Sequence, residues 1–262
     1  MKKLFRGIGR VVRLGGTGFS FLCFGIGAMI LAAVLLPIVA RTSRVAGRRD
    51  LAAQLWIRRS FHVFVRMGIL LRLWVVRFEG EDRLSGGPSL IIANHPTLMD
   101  VVFLLSRIQA DCVVKREAWR NPVLRGIVQA AGYIPNDDGP ALIDACADRL
   151  EQGRSVLLFP EGSRSPANGL NPFKRGAAHV ALQTGCRILP VVVSCHPPAL
   201  MKGQPWYALP NEVLRFSFKV GAPLYARDLV SEAPMPPARA ARRVTEALTS
   251  VFQEGLSHAA VC

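Results

Sequence analysis

Residues 90–100 read Leu-Ile-Ile-Ala-Asn-His-Pro-Thr-Leu-Met-Asp, so a histidine (His95) and an aspartate (Asp100) stand five positions apart where an aliphatic run stops. Imidazole is the side chain best suited to take up a proton near neutral pH, and a carboxylate that accepts its other N–H fixes the tautomer and stabilises the imidazolium. Five positions do not share a helical face by i, i+4 spacing. The pair can meet if His95 sits in a loop and Asp100 on the first turns of the following helix, with Pro96 ending the strand before it. The result is a base and its orienting acid with no nucleophile attached. A serine hydrolase would carry G-x-S-x-G on a sharp turn, whereas Ser163 lies in Glu-Gly-Ser-Arg-Ser, which lacks the second glycine. A base of this kind fits activation of a hydroxyl brought by the substrate.

A second polar cluster, Phe-Pro-Glu-Gly-Ser-Arg-Ser at residues 159–165, sets the carboxylate of Glu161, the flexible Gly162, Ser163 and the guanidinium of Arg164 side by side. Arg164 is suited to pair bidentately with a phosphate, and Glu161 to orient it or a substrate hydroxyl. The remaining histidines, His62, His179, His196 and His258, have no acid at a useful spacing. No H-E-x-x-H or clustered-ligand pattern occurs, so neither a metal nor a tightly held cofactor is expected.

Both clusters follow strand-like runs, and the elements beyond Arg77 alternate strand and helix, which predicts an α/β fold with a mostly parallel central sheet flanked by helices. The strands expected are 74–79, 89–93, 111–115, 155–159, 187–193 and 212–220; the helices are 99–107, 122–131, 140–152, 176–184 and 237–256, with Gly153 and Gly185 as C-caps. In open α/β sheets reactive groups gather beyond the carboxyl ends of the strands, so two clusters at equivalent strand ends can face one cleft.

The net charge of +15 is unevenly spread: residues 1–77 hold fourteen of the 33 basic side chains and one acid, Asp50, so the rest of the chain is nearly neutral. That excludes a nucleic-acid stripe on the body and points to an anionic membrane surface. Residues 19–40 (FSFLCFGIGAMILAAVLLPIVA) approach the roughly 20 residues that cross a bilayer. Basic residues flank the run on both sides, so the positive-inside rule pulls both ends to one side; Gly25, Gly27 and Pro37 could permit a bend that turns the segment back, with a single span as the alternative. Residues 51–77 read as an amphipathic helix with Arg58, Arg59, Arg66, Arg72 and Arg77 opposite Trp56, Phe64, Met67, Leu71 and Trp74, placed at the interface or packed on the body. The expected organisation is an anchor at 1–50, this helix at 51–77 and a catalytic domain at 78–262. Six cysteines form no C-x-x-C pair, in keeping with a reduced, cytoplasm-facing body.

Together the two motifs, N-H-x4-D at 94–100 and F-P-E-G-[TS]-R-S at 159–165, resemble the glycerolipid acyltransferase family, which includes the bacterial 1-acylglycerol-3-phosphate acyltransferases. Residues 171–181 (NPFKRGAAHVA) and 187–193 (RILPVVV) are similar to two further family segments. The resemblance implies a membrane-bound O-acyltransferase at the cytoplasmic side of an inner membrane. His95 would deprotonate an acceptor hydroxyl that attacks the thioester of acyl-CoA or acyl carrier protein, Asp100 would orient His95, and Asn94, Glu161, Gly162, Ser163, Arg164, Lys115 and Lys174 would line the acceptor site. The family's G-x-I-F-I-D-R stretch is matched here by Gly-Tyr-Ile-Pro-Asn-Asp-Asp, with Asp138 where a phosphate-binding arginine is expected. An acid there repels a phosphate. The acceptor is therefore a lysophospholipid held by Arg164, Lys115, Lys174 and Arg175, or another hydroxylated lipid; the stretch also makes a good turn before a helix at Pro140. A catalytically inert, membrane-anchored binding protein is the reading from another class.

Overall fold

The computed structural model describes residues 2–42, 49–122, 124–137, 139–167, 169–230 and 235–259. Asp138 lies outside them. The chain opens with helix α1 (Lys2–Ile30), a π turn (Leu31–Leu35) and α2 (Leu36–Thr42), followed by α3 (Arg49–Leu70). The body then runs β1 (Trp74–Glu79), β2 (Leu90–Ala93), α4 (Asp100–Leu105), β3 (Asp111–Lys115), α5 (Arg116–Arg120), α6 (Arg125–Ala130), β4 (Ile134–Asn136), α7 (Pro140–Glu151), β5 (Val156–Leu158), α8 (Gly176–Thr184), β6 (Arg187–His196), β7 (Leu214–Val220), β8 (Leu224–Tyr225), α9 (Ala226–Leu229) and α10 (Pro237–Ala259).

The strands form one sheet in the order β1-β7-β6-β2-β5-β3-β4, with β8 beside β6. All pairings are parallel except β6 with β7 and β6 with β8. The mostly parallel α/β fold is thus as expected. Alternation along the strands divides the core between the two faces. Ile91, Leu157, Leu189 and Val191 pack on the side of α3, α4 and α6, whereas Leu90, Val156, Leu158 and Ile188 pack on the side of α7, α8 and α10. Gly185 ends α8 in the left-handed conformation (φ 61°), and Gly153 follows α7 at φ 75°.

In the N-terminal third the structure bears on two of the expectations. First, the helix stays continuous through Gly25 and Gly27, so no bend forms there. Pro37 lacks an N–H and crowds the carbonyl four residues back; the turn just before it widens, the Leu36 N–H reaching Leu31 O, and the helix continues. The stretch Val12–Val39 is long and apolar enough to cross a membrane. It nevertheless packs along the body, burying Thr17, Ser20, Ala28, Leu31, Leu36 and Val39, and runs antiparallel to α3, with Phe24 against Phe61 and Phe64. The opposite face, including Phe19, Leu22, Met29 and Val34, is exposed.

Second, the helix expected over 51–77 stops at Leu70, because Arg72 takes a left-handed conformation (φ 56°) and the chain enters β1 at Trp74. Trp74, expected on an interfacial helix face, is 2% exposed; its indole lies over Gly68, where any Cβ would overlap the ring, and donates to Val65 O at 3.2 Å. Helix α3 is accordingly part of the body, with Ile57, Phe64 and Val65 in the core. Its start is also tied to the amino-terminal edge of the sheet. Gln54 Nε2 donates to Asp111 Oδ1 (3.0 Å) and Ala131 O (2.9 Å), while Arg154 bridges Asp50 (2.5 Å) and Asp111 (2.8 Å). Burial raises the Asp111 carboxyl above the usual range, against the pull of Arg154 and Arg149.

Candidate active site

Strand β2 ends at Ala93, and the chain turns out of the sheet with both polar groups of Asn94 on β6: its Nδ2 donates to Val193 O (2.8 Å), and its Oδ1 accepts from Val193 N (2.6 Å). Asn94 is therefore a buried clamp and does not line a substrate site. The clamp fixes where His95 leaves the strand. Asp100 starts α4 fully buried, and its carboxylate meets His95 Nδ1 at 2.9 Å. The Thr97 N–H (2.7 Å) and the Thr97 hydroxyl complete its coordination. With the carboxylate accepting at Nδ1, the proton sits on that nitrogen and Nε2 carries the lone pair. No hydrogen bond to Nε2 occurs among the described residues, and the side chain is 19% exposed. The ring lies on Phe159, the residue just past β5, at 4.6 Å between centroids.

The second motif emerges from β5, which neighbours β2 in parallel, so both clusters open at the same sheet edge. Glu161 is 5% exposed and fully engaged. Oε1 accepts from His95 N (3.1 Å) and the Ser165 hydroxyl, and Oε2 from Asn171 N (2.8 Å) and Nδ2 (3.0 Å). Its hydrogen bonds are all to the protein: Glu161 braces the His95 backbone, which in turn accepts from Ser165 N (2.7 Å). Gly162 takes φ 65°, and a Cβ there would come within 3.0 Å of the Lys174 side chain lying over it. Ser163 is half-buried and 3.4 Å from Asn171 Nδ2. Arg164, also half-buried, donates through Nη1 to the carbonyls of Leu200 (3.2 Å) and Met201 (3.1 Å) in the loop after β6, which leaves its other nitrogens for an anion. Lys115 and Lys174 are exposed; Lys115 ends β3, the strand beside β5.

A cavity of about 420 Å³ has Phe159, the ring on which His95 lies, in its wall, while His95 itself does not line it. Val113, Leu142, Ile143, Leu158, Phe159 and Ala177 supply most of its wall, with Gly162, Lys174 and His179 also lining it. This size and lining suit an apolar chain. His179, given no role in the sequence reading, shares this wall; Thr97, Phe159, Ser165, Asn171 and the Leu200 carbonyl were likewise missed as positioning groups.

The nearest thiol is inert. Burial pushes Cys195 up to about 12, and the Asp100 charge adds to this. A thiol held protonated at neutral pH is no nucleophile. Cys195→Ala is expected to retain most of the wild-type turnover; loss of activity in a folded variant would indicate a covalent route.

Residues 75–194 match the family model described as Acyltransferase. A 1-acyl-sn-glycerol-3-phosphate acyltransferase of Saccharomyces cerevisiae is 33% identical over 195 residues, 70% of this chain and 58% of that protein. A chloroplastic 1-acyl-sn-glycerol-3-phosphate acyltransferase of Brassica napus is 28% identical over 193 residues, 69% of this chain and 53% of that protein. The chain thus spans somewhat more than half the length of these relatives. The crystal structure of a 1-acyl-sn-glycerophosphate acyltransferase from Thermotoga maritima superposes with a TM-score of 0.68 at 19% identity, covering 95% of this chain and 97% of that one, which shows a common fold.

Proposed function

We propose that this chain, whose residues 75–194 match the family model described as Acyltransferase, is a membrane-bound O-acyltransferase that moves a fatty acyl group from acyl-ACP or acyl-CoA to the hydroxyl of a lysophospholipid, foremost 1-acylglycerol-3-phosphate. The observation that carries this reading is the His95–Asp100 contact at 2.9 Å, with the His95 ring on Phe159, which also lines an apolar cavity. Nε2 takes the proton of the acceptor hydroxyl as its oxygen attacks the thioester carbonyl. The tetrahedral intermediate then expels the thiolate, which receives the same proton back from His95. Buried Asp100 stabilises the imidazolium between the two transfers. The acyl chain occupies the 420 Å³ cavity. Arg164 is the main phosphate ligand, with Lys174 and Lys115 adding charge at the cleft.

The exposed apolar face of α1 and α2 supports attachment to the membrane, where an acylated acceptor resides. In this reading the domain meets the lipid side-on, with the site at the cytoplasmic face of an inner membrane, where the acyl donor is made.

The test is a panel of donors and acceptors with the purified full chain, scoring labelled acyl transfer to 1-acylglycerol-3-phosphate, glycerol 3-phosphate and uncharged hydroxylated lipids. Transfer confined to the phosphate-bearing lysolipid is expected; transfer only to uncharged acceptors would reassign the acceptor, and no transfer at all would leave a binding protein. Arg164→Lys keeps the charge and loses the fork, so acceptor KM is expected to rise about 10-fold or more with kcat changed less. An unchanged KM would remove Arg164 from the phosphate site.

A further inference from the structure

Exposed large apolar side chains are concentrated in this molecule. Among the described residues nearly all belong to residues 12–75, the helical hairpin and the start of β1; beyond these only Leu98 (49%), Trp206 (45%) and Tyr207 (58%) are exposed. Single exposed apolar residues are ordinary on a protein surface. These three share one place: Leu98 stands three residues after His95, and Trp206 and Tyr207 belong to the loop whose carbonyls hold Arg164. Strand β6 is parallel to β2, so this loop leaves the sheet on the edge where His95 sits.

The two loops are joined. The Leu200 carbonyl accepts both the Leu98 N–H (3.0 Å) and Arg164 Nη1 (3.2 Å), and Leu200 does so in a left-handed conformation (φ 58°) that a non-glycine residue holds only when its surroundings fix it. The same loop is fastened to the anchor. The Trp206 ring meets Phe21 of α1 edge-on at 6.1 Å, and a Cβ at Gly18 would lie 3.4 Å from it. Phe19 and Leu22, on the same stretch of α1, are exposed. The outer face of the anchor is therefore continuous with the rim of the site. Trp and Tyr combine an apolar ring with a polar tip, the chemistry found at headgroup depth, and the exposed Lys202 suits anionic headgroups.

We propose that Leu98, Trp206 and Tyr207 form a second, body-borne contact with the bilayer interface, one that holds the mouth of the site at headgroup depth so that a lysolipid enters without leaving the membrane. The proposal deepens the acyltransferase reading, and its kinetic arm rests on that reading. The first measurement is independent of activity: tryptophan fluorescence of the full chain and of Trp206→Phe on phosphatidylethanolamine–phosphatidylglycerol vesicles carrying lipids brominated at shallow or deep positions. The difference between the two proteins reports Trp206, and stronger quenching by the shallow label is expected; a Trp206 component untouched by either label overturns the contact. In the second, the Trp206→Ser/Tyr207→Ser variant is expected to show about a 10-fold higher KM for acceptor presented in vesicles. Its kinetics with a short-chain, water-soluble acceptor should be unchanged, and Trp206→Phe/Tyr207→Phe should restore the vesicle reaction. Equal losses on both presentations, or none on either, would overturn it. A wild-type chain inactive on both would count against the acyltransferase reading, with the quenching result still deciding the membrane contact.

Discussion

His95→Ala is expected to lower kcat by about 10² to 10⁴ or more while the fold and membrane attachment persist. The geometry makes the effect specific to chemistry. Among the described residues the imidazole makes one hydrogen bond, to Asp100, while the backbone at this position is held independently by Glu161 and Ser165. Removal of the ring therefore deletes the base and leaves the loop's brace in place. Asp100 keeps both Thr97 donors, so the buried carboxylate is not orphaned. The measurement is steady-state transfer beside a thermal unfolding curve and vesicle co-sedimentation. Near wild-type turnover in the folded variant would sink the base assignment and, with it, the attacking-hydroxyl mechanism.

Glu161→Ala is expected to lose stability as well as activity, by about 3 kcal/mol or more. The carboxylate accepts four hydrogen bonds at 5% exposure, and its loss leaves the Ser165 hydroxyl and the Asn171 N–H without an acceptor, each costing about 1–3 kcal/mol before relaxation, while His95 N and Asn171 Nδ2 keep weaker second partners in Ser165 Oγ and the Arg164 carbonyl. In a protein of this size that lowers Tm by several degrees, roughly 2–4 °C per kcal/mol. A substrate ligand would behave differently: KM would rise and Tm would hold. Glu161→Ala with normal stability and a raised KM would restore the acceptor-binding role that the hydrogen bonding argues against. The contrast with Arg164 is a practical one, since both side chains come from the same motif and only one has nitrogens left over for a ligand.

Much of the fold was legible because burial on both faces writes parallel strands as aliphatic runs. Leu90–Ala93, buried throughout, lies within the expected 89–93, Asp111–Lys115 falls where the sequence reading put it, and helix Gly176–Thr184 has both ends correct, whereas residues 74–77 read both as strand and as the end of the preceding helix. The missed strands β4 and β8 are three and two residues long, too short for periodicity to register. The end of α3 was illegible for another reason: Leu71-Arg72-Leu73-Trp74 prolongs the mixture of basic and apolar residues, and the break rests on a left-handed arginine that no residue type announces. In the site, the identities of His95, Asp100 and Arg164 could be read from type and spacing. The roles of Asn94 and Glu161 could not, because whether a polar side chain faces a ligand or a neighbouring strand depends on partners such as Val193, 99 positions from Asn94. The Leu200 carbonyl is a backbone group and carries no sequence signal at all.

The ties from Asp50 and Gln54 to Asp111 and Arg154 bear on how this protein could be rebuilt. A chimera that swaps the N-terminal helix for that of another protein must keep the native chain from residue 49 onward, since a junction at residue 78 would cut away Asp50, which pairs with Arg154, and Gln54, which donates to Asp111 at the foot of the sheet. Through these ties the start of α3 and the foot of β3 form one corner, so a graft made at residue 49 inherits the native placement of α3 on the sheet whose far edge carries His95.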